Sequence, residues 1–320
     1  MRVLVTGASG FLGRHVVSRL LERAQEVRVL TRDKNHLPLG WDGRLQVVLG
    51  DIRCPETLGP AVDGVEMVFN VAGEWRDRTQ FQRVNEQGTR NVLRTCVLAG
   101  GISIVHVSSA GVIGARLPGK YDESSQCRPG NAYERSKLVG EREVLRCSRE
   151  GRLRATVVRP TTVFGFRLPG GRDSFLSLLG AIQRGQFRFL GGLAAVSNYV
   201  YVEDVAECCI ALSGDPTADG EVFHVADPCP LQEFVGEAAD LLGVPHPGRI
   251  PAAVALSAAL VFEVARHFRG WAPLTLGRYR ALRSRTEIKG DRLRQRVSFP
   301  VGWRAGLART IAQYRAAGAL

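Results

Sequence analysis

The chain lacks the long apolar segments that mark membrane and secreted proteins. Its longest mostly apolar stretch runs from Ala252 to Phe262, well short of the roughly 18 residues that a membrane span needs. The apolar run after Met1 and Arg2 ends at Val5, which is too short for the core of a secretion signal. We therefore expect neither stable membrane insertion nor export.

Cysteine and histidine are too scattered to form a cross-linked or metal-bound scaffold. The seven cysteines are odd in number, irregularly spaced and without a C-x-x-C pair, and the six histidines stand singly. This pattern argues against a disulfide framework and against a zinc site. It favours a reducing compartment, the cytoplasm, and predicts no metal.

Lysine is scarce, with only four among the 43 basic residues, although the formal net charge is +12. The arginines are spread along the chain, form no run of five or six like charges, and do not interleave with aromatic residues in a known nucleic-acid motif. This distribution favours a compositional bias over a nucleic-acid-binding face. Anionic small ligands stay open as the alternative.

The first half of the chain alternates short β-branched runs with amphipathic stretches, which predicts a parallel α/β sheet. The predicted strands are Arg2–Thr6, Glu26–Thr31, Leu45–Leu49, Met67–Val71, Ser103–Ser108 and Ala155–Arg159. The predicted helices between them are Gly10–Arg23, Arg83–Ala99 and Ala132–Glu150. Further on, the predicted elements are strands at Tyr199–Val202 and Glu221–Val225, and helices at Val205–Ser213 and Gly302–Ala317.

Two stretches depart from this rhythm. Residues 166–197 are rich in Gly, Phe and Leu, and residues 230–320 are mostly helical in pattern. We predict that these two stretches form a smaller substrate-binding lobe on a sheet domain made of residues 1–165 and 198–229.

A glycine-rich loop follows the first predicted strand, with Gly7, Gly10 and Gly13 in the spacing G-x-x-G-x-x-G. The first two glycines allow a tight turn and a close approach of the backbone to a pyrophosphate, and the third allows close helix–sheet packing. The N-terminus of the following helix offers free N–H groups to phosphates. The loop therefore predicts a dinucleotide site, with contacts from Gly7, Ser9, Gly10, Phe11, Leu12 and Gly13.

Further motifs carry a resemblance to a known family. They are Gly50-Asp51-Ile52, Asn70-Val71-Ala72-Gly73, Val84-Asn85-Glu86-Gln87-Gly88-Thr89, Val107-Ser108-Ser109, Tyr133-x-x-x-Lys137, Arg159-Pro160 and Tyr201-Val202-Glu203-Asp204-Val205. With the glycine loop, they make the chain resemble the extended short-chain dehydrogenase/reductase superfamily, also called the NAD-dependent epimerase/dehydratase family. The resemblance implies a Rossmann-type, doubly wound parallel α/β sheet with a smaller, mostly helical lobe, and an NAD(P)-dependent oxidoreductase.

The resemblance also implies roles for residues outside the glycine loop. It implies that Asp51, followed by Ile52, accepts a hydrogen bond from the adenine amino group, and that Asn85 belongs to the reactive site and helps to organise it. Further cofactor contacts implied in this way are Val71, Ala72, Gly73, Pro160 and Val163.

The end of the second predicted strand bears on the choice between NAD and NADP. Relatives that use NAD place an acid there, whereas this chain has Thr31 followed by Arg32. An arginine can pair bidentately with a 2′-phosphate, so Arg32 favours NADP(H). NAD(H) stays open, because Asp33 is close enough in sequence to take the place of the missing acid.

Tyr133 and Lys137 lie four residues apart on a predicted helix and therefore share one face. A tyrosine titrates near pH 10, so acid/base work at neutral pH calls for a lower pKa, which a nearby ammonium group favours. Ser109 ends a strand 24 residues earlier. Resemblance and chemistry together predict that Tyr133 transfers the proton, Ser109 holds the substrate oxygen, and Lys137 tunes Tyr133 and grips the nicotinamide ribose, with Ser108 facing the other side of its strand.

Departures from the family pattern narrow the substrate class. Ala110 and Gly111 stand where dehydratases have an Asp-Glu pair, so dehydration is not expected. Thr162 and the pair Ser197-Asn198 replace an asparagine and an arginine that are common in sugar-nucleotide epimerases. The R-P-x-x-V-x-G form of Arg159–Gly165 is similar to 3β-hydroxysteroid dehydrogenases and dihydroflavonol reductases.

Several residues of the lobe allow two interpretations. Phe164, Phe166, Phe175, Leu178, Leu179 and a helix at Pro251–Phe262 either wall an apolar pocket or form the core of the lobe. Arg167, Arg172 and Arg184 are available to phosphates.

These observations predict an oxidoreductase that interconverts a secondary alcohol and a ketone by hydride transfer. A nucleotide-sugar epimerase or reductase with bound NAD is the alternative. A non-enzymatic dinucleotide sensor is disfavoured, because it would not need the Ser109, Tyr133 and Lys137 set. The partner is then a small-molecule substrate, not nucleic acid, and the resemblance implies a homodimer formed through the helices at Arg83–Ala99 and Ala132–Glu150.

Overall fold

Seven parallel strands form the centre of the molecule in a computed structural model that describes residues 1–41, 43–115, 117–167, 173–192, 194–269 and 274–320. The strands in chain order are β1 (Arg2–Thr6), β2 (Glu26–Thr31), β3 (Gln46–Leu49), β4 (Met67–Asn70), β5 (Ser103–Val107), β6 (Gly119–Tyr121), β7 (Ala155–Pro160), β8 (Thr162–Phe164), β9 (Phe189–Leu190), β10 (Val196–Ser197), β11 (Tyr199–Tyr201), β12 (Val222–Val225), β13 (Cys229–Pro230), β14 (Arg249–Ile250) and β15 (Thr286–Ile288). The α-helices are α1 (Phe11–Glu22), α2 (Gly59–Val62), α3 (Thr89–Leu98), α4 (Ala132–Arg149), α5 (Ser174–Gln183), α6 (Val202–Ser213), α7 (Leu231–Leu242), α8 (Ala252–Arg269), α9 (Leu276–Leu282), α10 (Asp291–Arg294) and α11 (Gly302–Ala316).

The order of the strands in the central sheet is β12-β7-β5-β4-β1-β2-β3, and every neighbouring pair is parallel. The strands β1, β2 and β3 lie side by side in chain order. The chain then crosses back, and β4 lies on the other side of β1. The order therefore reverses between β1 and β4, and the loops after these two strands leave the sheet in opposite directions. A crevice opens at such a point in doubly wound sheets.

Both faces of this sheet are covered, which explains why its strands are nearly continuous apolar runs. Alternate residues of one strand point to opposite faces, so Val3 and Val5 pack in the cluster with α1 and α6, while Leu4 packs in the cluster with α3 and α4. A third core cluster lies outside the sheet, among α5, α7, α11 and β11. Phe234, which is fully buried, contacts four other aromatic rings there.

The predicted doubly wound α/β fold is confirmed, and most predicted boundaries fall within two residues of those in the structure. One exception is the helix predicted at Arg83–Ala99, whose first part, Gln82–Gly88, is a π-helix that continues into α3. The carbonyl oxygen of Asn85 lies there against Gly140 of α4. Isolated π-helical turns of this kind occur frequently at functional sites.

α6 begins at Val202, three residues before the predicted start at Val205. Glu203 and Asp204 occupy its first turn, where carboxylates are favourable near the positive end of the helix dipole. The buried Asp204 carboxylate also accepts hydrogen bonds from the backbone N–H groups of Val301 (3.0 Å) and Gly302 (2.9 Å), and so ties α6 to the start of α11.

Across the part of the chain that the structure describes, no helix is both long enough and apolar enough to cross a membrane. The apolar helix α8 packs Ala255 and Ala259 against Leu190 and Tyr279, while Leu260 and Val261 are exposed.

Gly140 permits the contact between α4 and the π-helix, and its substitution tests that contact. A Cβ atom at this position would stand 2.4 Å from the carbonyl oxygen of Asn85, so the backbone must shift to admit it. We expect Gly140→Ala to lower the free energy of unfolding by about 1–3 kcal/mol, in spite of the higher helix propensity of alanine. Denaturant titration measures the change.

The matched control is Gly59→Ala in α2, where an added Cβ would meet no atom within 4 Å. We expect this control to keep or raise the stability. If both variants unfold at the same denaturant concentration as the wild type, the close contact at Gly140 has no energetic weight.

Candidate active site

A cleft of about 840 Å³ opens at the carboxyl ends of β1 and β4, where the strand order reverses. It is lined by residues at the ends of six parallel strands, at the start of α1 and α4, and in the segment before α5. All sixteen residues predicted to contact the cofactor line it: Gly7, Ser9, Gly10, Phe11, Leu12, Gly13, Arg32, Asp51, Ile52, Val71, Ala72, Gly73, Tyr133, Lys137, Pro160 and Val163. The structure thus brings residues from the first half of the chain and from its middle into one site.

The glycine loop packs with no room for side chains. A Cβ atom at Gly7 would lie 2.7 Å from the backbone of Ala72, and one at Gly13 would lie 2.1 Å from the carbonyl oxygen of Gly7. Gly10 is the N-cap of α1, and no side chain caps this helix end. The first N–H groups of α1 therefore face the cleft without an intrahelical partner, an arrangement that fits the pyrophosphate of a dinucleotide.

The end of β2 presents Thr31 and Arg32 to the cleft. Arg32 is exposed, whereas Asp33 is turned to the next segment: its carboxylate accepts a hydrogen bond from the backbone N–H of Asn35 (2.9 Å) and caps a short 3-10 helix at Lys34–His36. Asp33 is absent from the cleft lining in the described part of the chain. Of these two neighbours, the cation rather than the acid lines the cleft.

Asp51 lines the cleft but is already bound by Arg53. The Arg53 guanidinium donates to both carboxylate oxygens at 2.6–3.1 Å, and the Arg53 backbone N–H donates at 2.9 Å. Burial opposes the ionisation of Asp51, but these hydrogen bonds and the charge of Arg53 outweigh it and hold the pKa of Asp51 below its usual range. Asp51 is therefore an ionised acceptor beside Ile52, and Asn91 fixes the carbonyl oxygen of Ile52 at 2.9 Å.

A capping box fixes the start of α4 and with it the position of Tyr133. The side chain of Asn131 accepts a hydrogen bond from the backbone N–H of Glu134 (2.9 Å), while the Glu134 carboxylate accepts from Gly130 N (2.5 Å) and from the Asn131 amide (2.6 Å). The N-x-x-E spacing that makes this box is visible in the sequence.

Tyr133 lies among Phe81, Ser109 and the cleft. The Phe81 ring contacts it edge-on, with ring centroids 5.7 Å apart. Burial raises the pKa of Tyr133, a hydrogen bond with Ser109 lowers it, and the neighbouring Glu134 charge raises it, so the net shift is upward. These groups of the chain therefore keep the Tyr133 phenol protonated beside Ser109, and they do not by themselves supply the lowered pKa that the sequence predicts for catalysis.

Ser109 rather than Ser108 is oriented for this contact. Ser109 is the N-cap of a 3-10 helix at Ala110–Ile113, and its hydroxyl oxygen accepts from the Gly111 N–H at 3.1 Å. This cap leaves the hydroxyl hydrogen free for another acceptor. Ser108 is buried, and its hydroxyl has no hydrogen-bond partner among the described residues.

Lys137 is fully buried one helical turn after Tyr133. Its ammonium group donates to the carbonyl oxygen of Val107 at 2.7 Å. Burial lowers the pKa of Lys137 to about 8, and the charge of Glu141 partly offsets this. Glu141 in turn forms a buried ion pair with Arg159, with Nη2 to Oε1 at 2.5 Å. Lys137 thus remains mostly charged at neutral pH at the base of the cleft.

Asn85 stands behind the cleft rather than in its lining. Its side-chain oxygen accepts from the Glu74 N–H (2.8 Å), and its amide donates to the Glu74 carbonyl (2.8 Å) and to the Ser136 hydroxyl (2.9 Å). Ser136 donates to the Tyr133 carbonyl at 2.8 Å. Asn85 therefore connects the loop after β4 to the turn of α4 that carries Tyr133.

The apolar residues considered for the wall of a substrate pocket mostly pack in the core of the lobe. Phe164, Phe175 and Leu179 are buried in the third core cluster, with Phe166 and Leu178 packed against it, and no residue of α8 within the described part borders the cleft. Of the three arginines considered for phosphates, Arg167 lines the cleft, Arg184 is exposed away from it, and Arg172 lies outside the described residues.

Sequence reasoning missed several residues of the cleft. Arg53 holds Asp51, Thr161 follows the Arg159-Pro160 motif, and Trp75 forms part of the cleft lining. Arg53 could have been noticed, since an arginine two residues after a predicted adenine-binding acid is a natural partner. Trp75 had no local signal, because its position depends on the path of the loop after β4.

The low pKa of Lys137 makes stability depend on pH. A lysine of the unfolded chain titrates near pH 10.5, whereas Lys137 in the folded protein loses its proton near pH 8. Between these values the unfolded chain binds more protons, so stability rises with pH. We expect the wild type to gain about 1.4 kcal/mol per pH unit in this window relative to Lys137→Met.

Denaturant titration of the cofactor-free proteins at several pH values measures this difference. Lys120→Met is the control, because the Lys120 side chain is 66% exposed. A difference between wild type and Lys137→Met that does not change with pH would show that Lys137 titrates normally in the folded protein.

Comparison with known proteins agrees with this arrangement. A model of the NAD-dependent epimerase/dehydratase family matches residues 3–226. Over 249 residues the chain is 33% identical to sterol-4-alpha-carboxylate 3-dehydrogenase, decarboxylating, of Homo sapiens; the match covers 73% of this chain and 65% of that enzyme, so less than two thirds of the human enzyme is spanned. It is 31% identical over 273 residues to 4-hydroxy-2-methyl-3-oxo-4-farnesyl-3,4-dihydroquinoline-1-oxide ketoreductase of Stigmatella aurantiaca, covering 82% of this chain and 80% of that one.

Among solved structures, MoeE5 in complex with UDP-glucose and NAD is similar, with a TM-score of 0.74 and 26% identity over 99% of both chains. The matched family model covers most of the sheet and every strand that borders the cleft. The chain therefore belongs to the NAD-dependent epimerase/dehydratase family and is an extended short-chain dehydrogenase/reductase.

Proposed function

We propose that this protein is an NADP(H)-dependent oxidoreductase that interconverts a secondary alcohol and a ketone. The observation that carries the proposal is the convergence of Ser109, Tyr133 and Lys137 on the same cleft as the uncapped N-terminus of α1. A dinucleotide bound there would supply the hydride donor or acceptor. The chain itself supplies the proton and the positioning.

Each residue of the set has a separate task. Tyr133 gives a proton to the carbonyl oxygen of a ketone, or takes one from the hydroxyl of an alcohol. Ser109 holds that oxygen through the hydroxyl hydrogen that its capping bond leaves free. Lys137 places a buried positive charge one turn below Tyr133, which favours the phenolate when the proton leaves.

Asn85 is a positioning residue in this proposal. Through Glu74 and Ser136 it fixes both the loop after β4 and the first turn of α4. It therefore acts on the reaction through the placement of Tyr133 rather than by touching the reacting atoms.

The preference for NADP(H) rests on Arg32. Arg32 is exposed where it lines the cleft. The Asp33 carboxylate instead accepts a hydrogen bond from the Asn35 backbone N–H in the next turn. A guanidinium can bind a 2′-phosphate bidentately, whereas NAD-dependent relatives use an acid to accept from the ribose hydroxyls. Arg53 adds a second cation beside the adenine-binding acid, Asp51.

The substrate class is supported by the names of the relatives and by the departures from the epimerase pattern. One similar protein is a sterol 3-dehydrogenase and another is a ketoreductase. Gly111 leaves little room for the acid of a dehydratase, since a Cβ there would lie 3.2 Å from the Ser109 hydroxyl and 3.3 Å from Glu134 Cγ.

A nucleotide-sugar epimerase or reductase with bound NAD is the second candidate, favoured by the similarity to MoeE5, which binds UDP-glucose. Against it, Asn198 stands near the position of the diphosphate-binding arginine and is used for structure. Its amide donates to the Thr286 carbonyl (2.7 Å) and its oxygen accepts from Ile288 N (2.9 Å), which holds β15.

We further propose that the sheet domain and the helical lobe divide at the boundaries given above, and that the protein works in the cytoplasm as a homodimer. The seven free thiols and their irregular spacing support a reducing compartment. Helices α3 and α4 lie side by side, and Leu98 of α3 is 77% exposed, which suits a pairing surface. Light scattering of the purified protein tests the dimer.

Tyr133→Phe separates catalysis from cofactor binding. It removes the proton donor and keeps the ring that contacts Phe81, so we expect NADPH to bind unchanged while turnover falls by about 10²–10⁴-fold. Fluorescence titration and NADPH absorbance measure the two quantities.

Tyr121→Phe is the control, because the Tyr121 hydroxyl bonds the Leu117 carbonyl away from the cleft. Full activity of Tyr133→Phe would overturn the assignment. Tightly held NAD that undergoes no net redox change on turnover would favour the epimerase instead.

Arg32→Leu tests the cofactor preference. Loss of a charge-assisted pair with the 2′-phosphate should weaken NADPH binding by about 10–100-fold and leave NADH binding within about 3-fold. Competitive fluorescence titration measures both, with Arg44→Leu as a control at an exposed arginine outside the cleft. Equal effects on the two cofactors would refute a role for Arg32 in recognising the phosphate.

A further inference from the structure

Arg167 occupies the mouth of the cleft on the side of α5. Its guanidinium carbon lies 3.9 Å from the centre of the Phe11 ring, so the cation is stacked on the residue that follows the glycine loop. Its backbone N–H donates to the Tyr314 hydroxyl at 3.3 Å, which fixes the chain where it enters the cleft. Arg167 is thus a partly buried cation in a defined place.

This cation has no ion-pair partner in the described part of the chain. Asp173 is the acid whose charge acts on Arg167, but both of its carboxylate oxygens are engaged. One oxygen caps α5 by accepting from Phe175 N (2.9 Å), and the other accepts from the Tyr314 hydroxyl. Partial burial lowers the pKa of Arg167, which marks a charge without full compensation. Arginines in such surroundings are normally paired.

A second arginine lies beside the cleft lining. Arg76 follows β4, and its guanidinium carbon lies 4.6 Å from the centre of the Trp75 ring, which lines the cleft. Glu74 also lines the cleft, and its Oε1 accepts from the backbone N–H groups of Trp75 (2.8 Å), Arg76 (2.7 Å) and Asp77 (3.1 Å). The charge of Arg76 also contributes to the lowered pKa of Arg167. One cation in the cleft lining, Arg167, and a second beside it, Arg76, therefore lie close enough to influence each other.

The wider charge distribution points the same way. The arginines are spread evenly, but the acids are not: residues 166–197 and 230–320 hold 18 Lys and Arg against 7 Asp and Glu, while the rest of the chain holds 25 against 24. These two stretches thus carry 11 of the 12 net positive charges, and they contribute Arg167 to the cleft lining. A positive surplus of this kind attracts anions to the protein surface.

We propose that Arg167 and Arg76 together bind an oxyanion, a carboxylate or phosphate carried by the substrate. The anion would relieve the repulsion between the two guanidinium groups and join the loop after β4 to the segment before α5. The proposal rests on the proposed function and names its substrate class: ketones and alcohols that carry an anionic group. The pyrophosphate of the cofactor has the same chemistry and is the other source to distinguish.

The test compares ketones in pairs, each as a free carboxylate and as its methyl ester. The probes are 3-oxo-4-androstene-17β-carboxylate and 4-oxopentanoate with their esters, titrated into the NADP⁺-loaded Tyr133→Phe protein so that binding is measured without turnover. We expect at least one acid to bind about 10-fold more tightly than its ester, and the preference to weaken with added salt.

Arg167→Met and Arg76→Met, each added to that background, should remove the preference and leave NADPH binding within about 2-fold. Methionine keeps an unbranched apolar stem against Phe11 or Trp75 while removing the charge. Arg184→Met, at an exposed arginine outside the cleft, is the matched control and should keep the preference.

An acid preference that is absent from every pair, or that survives both variants, overturns the proposal. Weaker NADPH binding in Arg167→Met without any acid preference assigns the anion to the cofactor and overturns the substrate part. An acid preference in a wild-type protein that turns over no ketone leaves the anion site standing and refutes the oxidoreductase function instead.

Discussion

The site depends on a contact between two backbones at the point where the strand order reverses. Gly7, after β1, touches Ala72, after β4, so closely that a Cβ atom on Gly7 would lie 2.7 Å from Ala72. The Thr6 hydroxyl reinforces the contact: it accepts from the Ala72 N–H at 3.3 Å and donates to the Asn70 side chain at 2.7 Å. Because Glu74 follows in the same loop and is held by Asn85, this contact also sets the height of α4 over the cleft.

The second constraint is electrostatic. Keeping a charged lysine in a fully buried position is costly, and the cost appears as the low pKa of Lys137. The Val107 carbonyl and the Glu141 charge offset part of it, and Arg159 prevents Glu141 from neutralising Lys137 completely. The neighbouring His106 is fully buried, and burial together with the Lys137 charge holds its pKa well below the usual range, so it adds no second cation. The geometry therefore preserves one positive charge, that of Lys137, beside the Tyr133 phenol.

Local patterns in the sequence were sufficient for the fold and for most of the cleft. The glycine loop, the Tyr133 and Lys137 spacing and the strand ends are short-range signals, and parallel strands bring their carboxyl ends to one edge whatever the loops do. The partners of these residues are long-range and were not predictable in the same way. Three such features depend on loop paths: Arg53 holds Asp51, Asn85 works from behind the cleft, and Arg167 stacks on Phe11. For Phe164 and the phenylalanines that follow it, composition could not distinguish a place in the core from a place in a pocket, because residues of both kinds are equally apolar.

The uncapped start of α1 has a consequence for the life of the protein as well as for its chemistry. With Gly10 as N-cap, no side chain satisfies the first N–H groups of the helix, and a bound dinucleotide would take the place of the missing cap. Folding of the β1–α1 unit is then linked to occupancy, and at a free ligand concentration one hundred times the Kd the native state gains about 2.7 kcal/mol. The stability of the folded protein is therefore expected to rise with the concentration of its own cofactor.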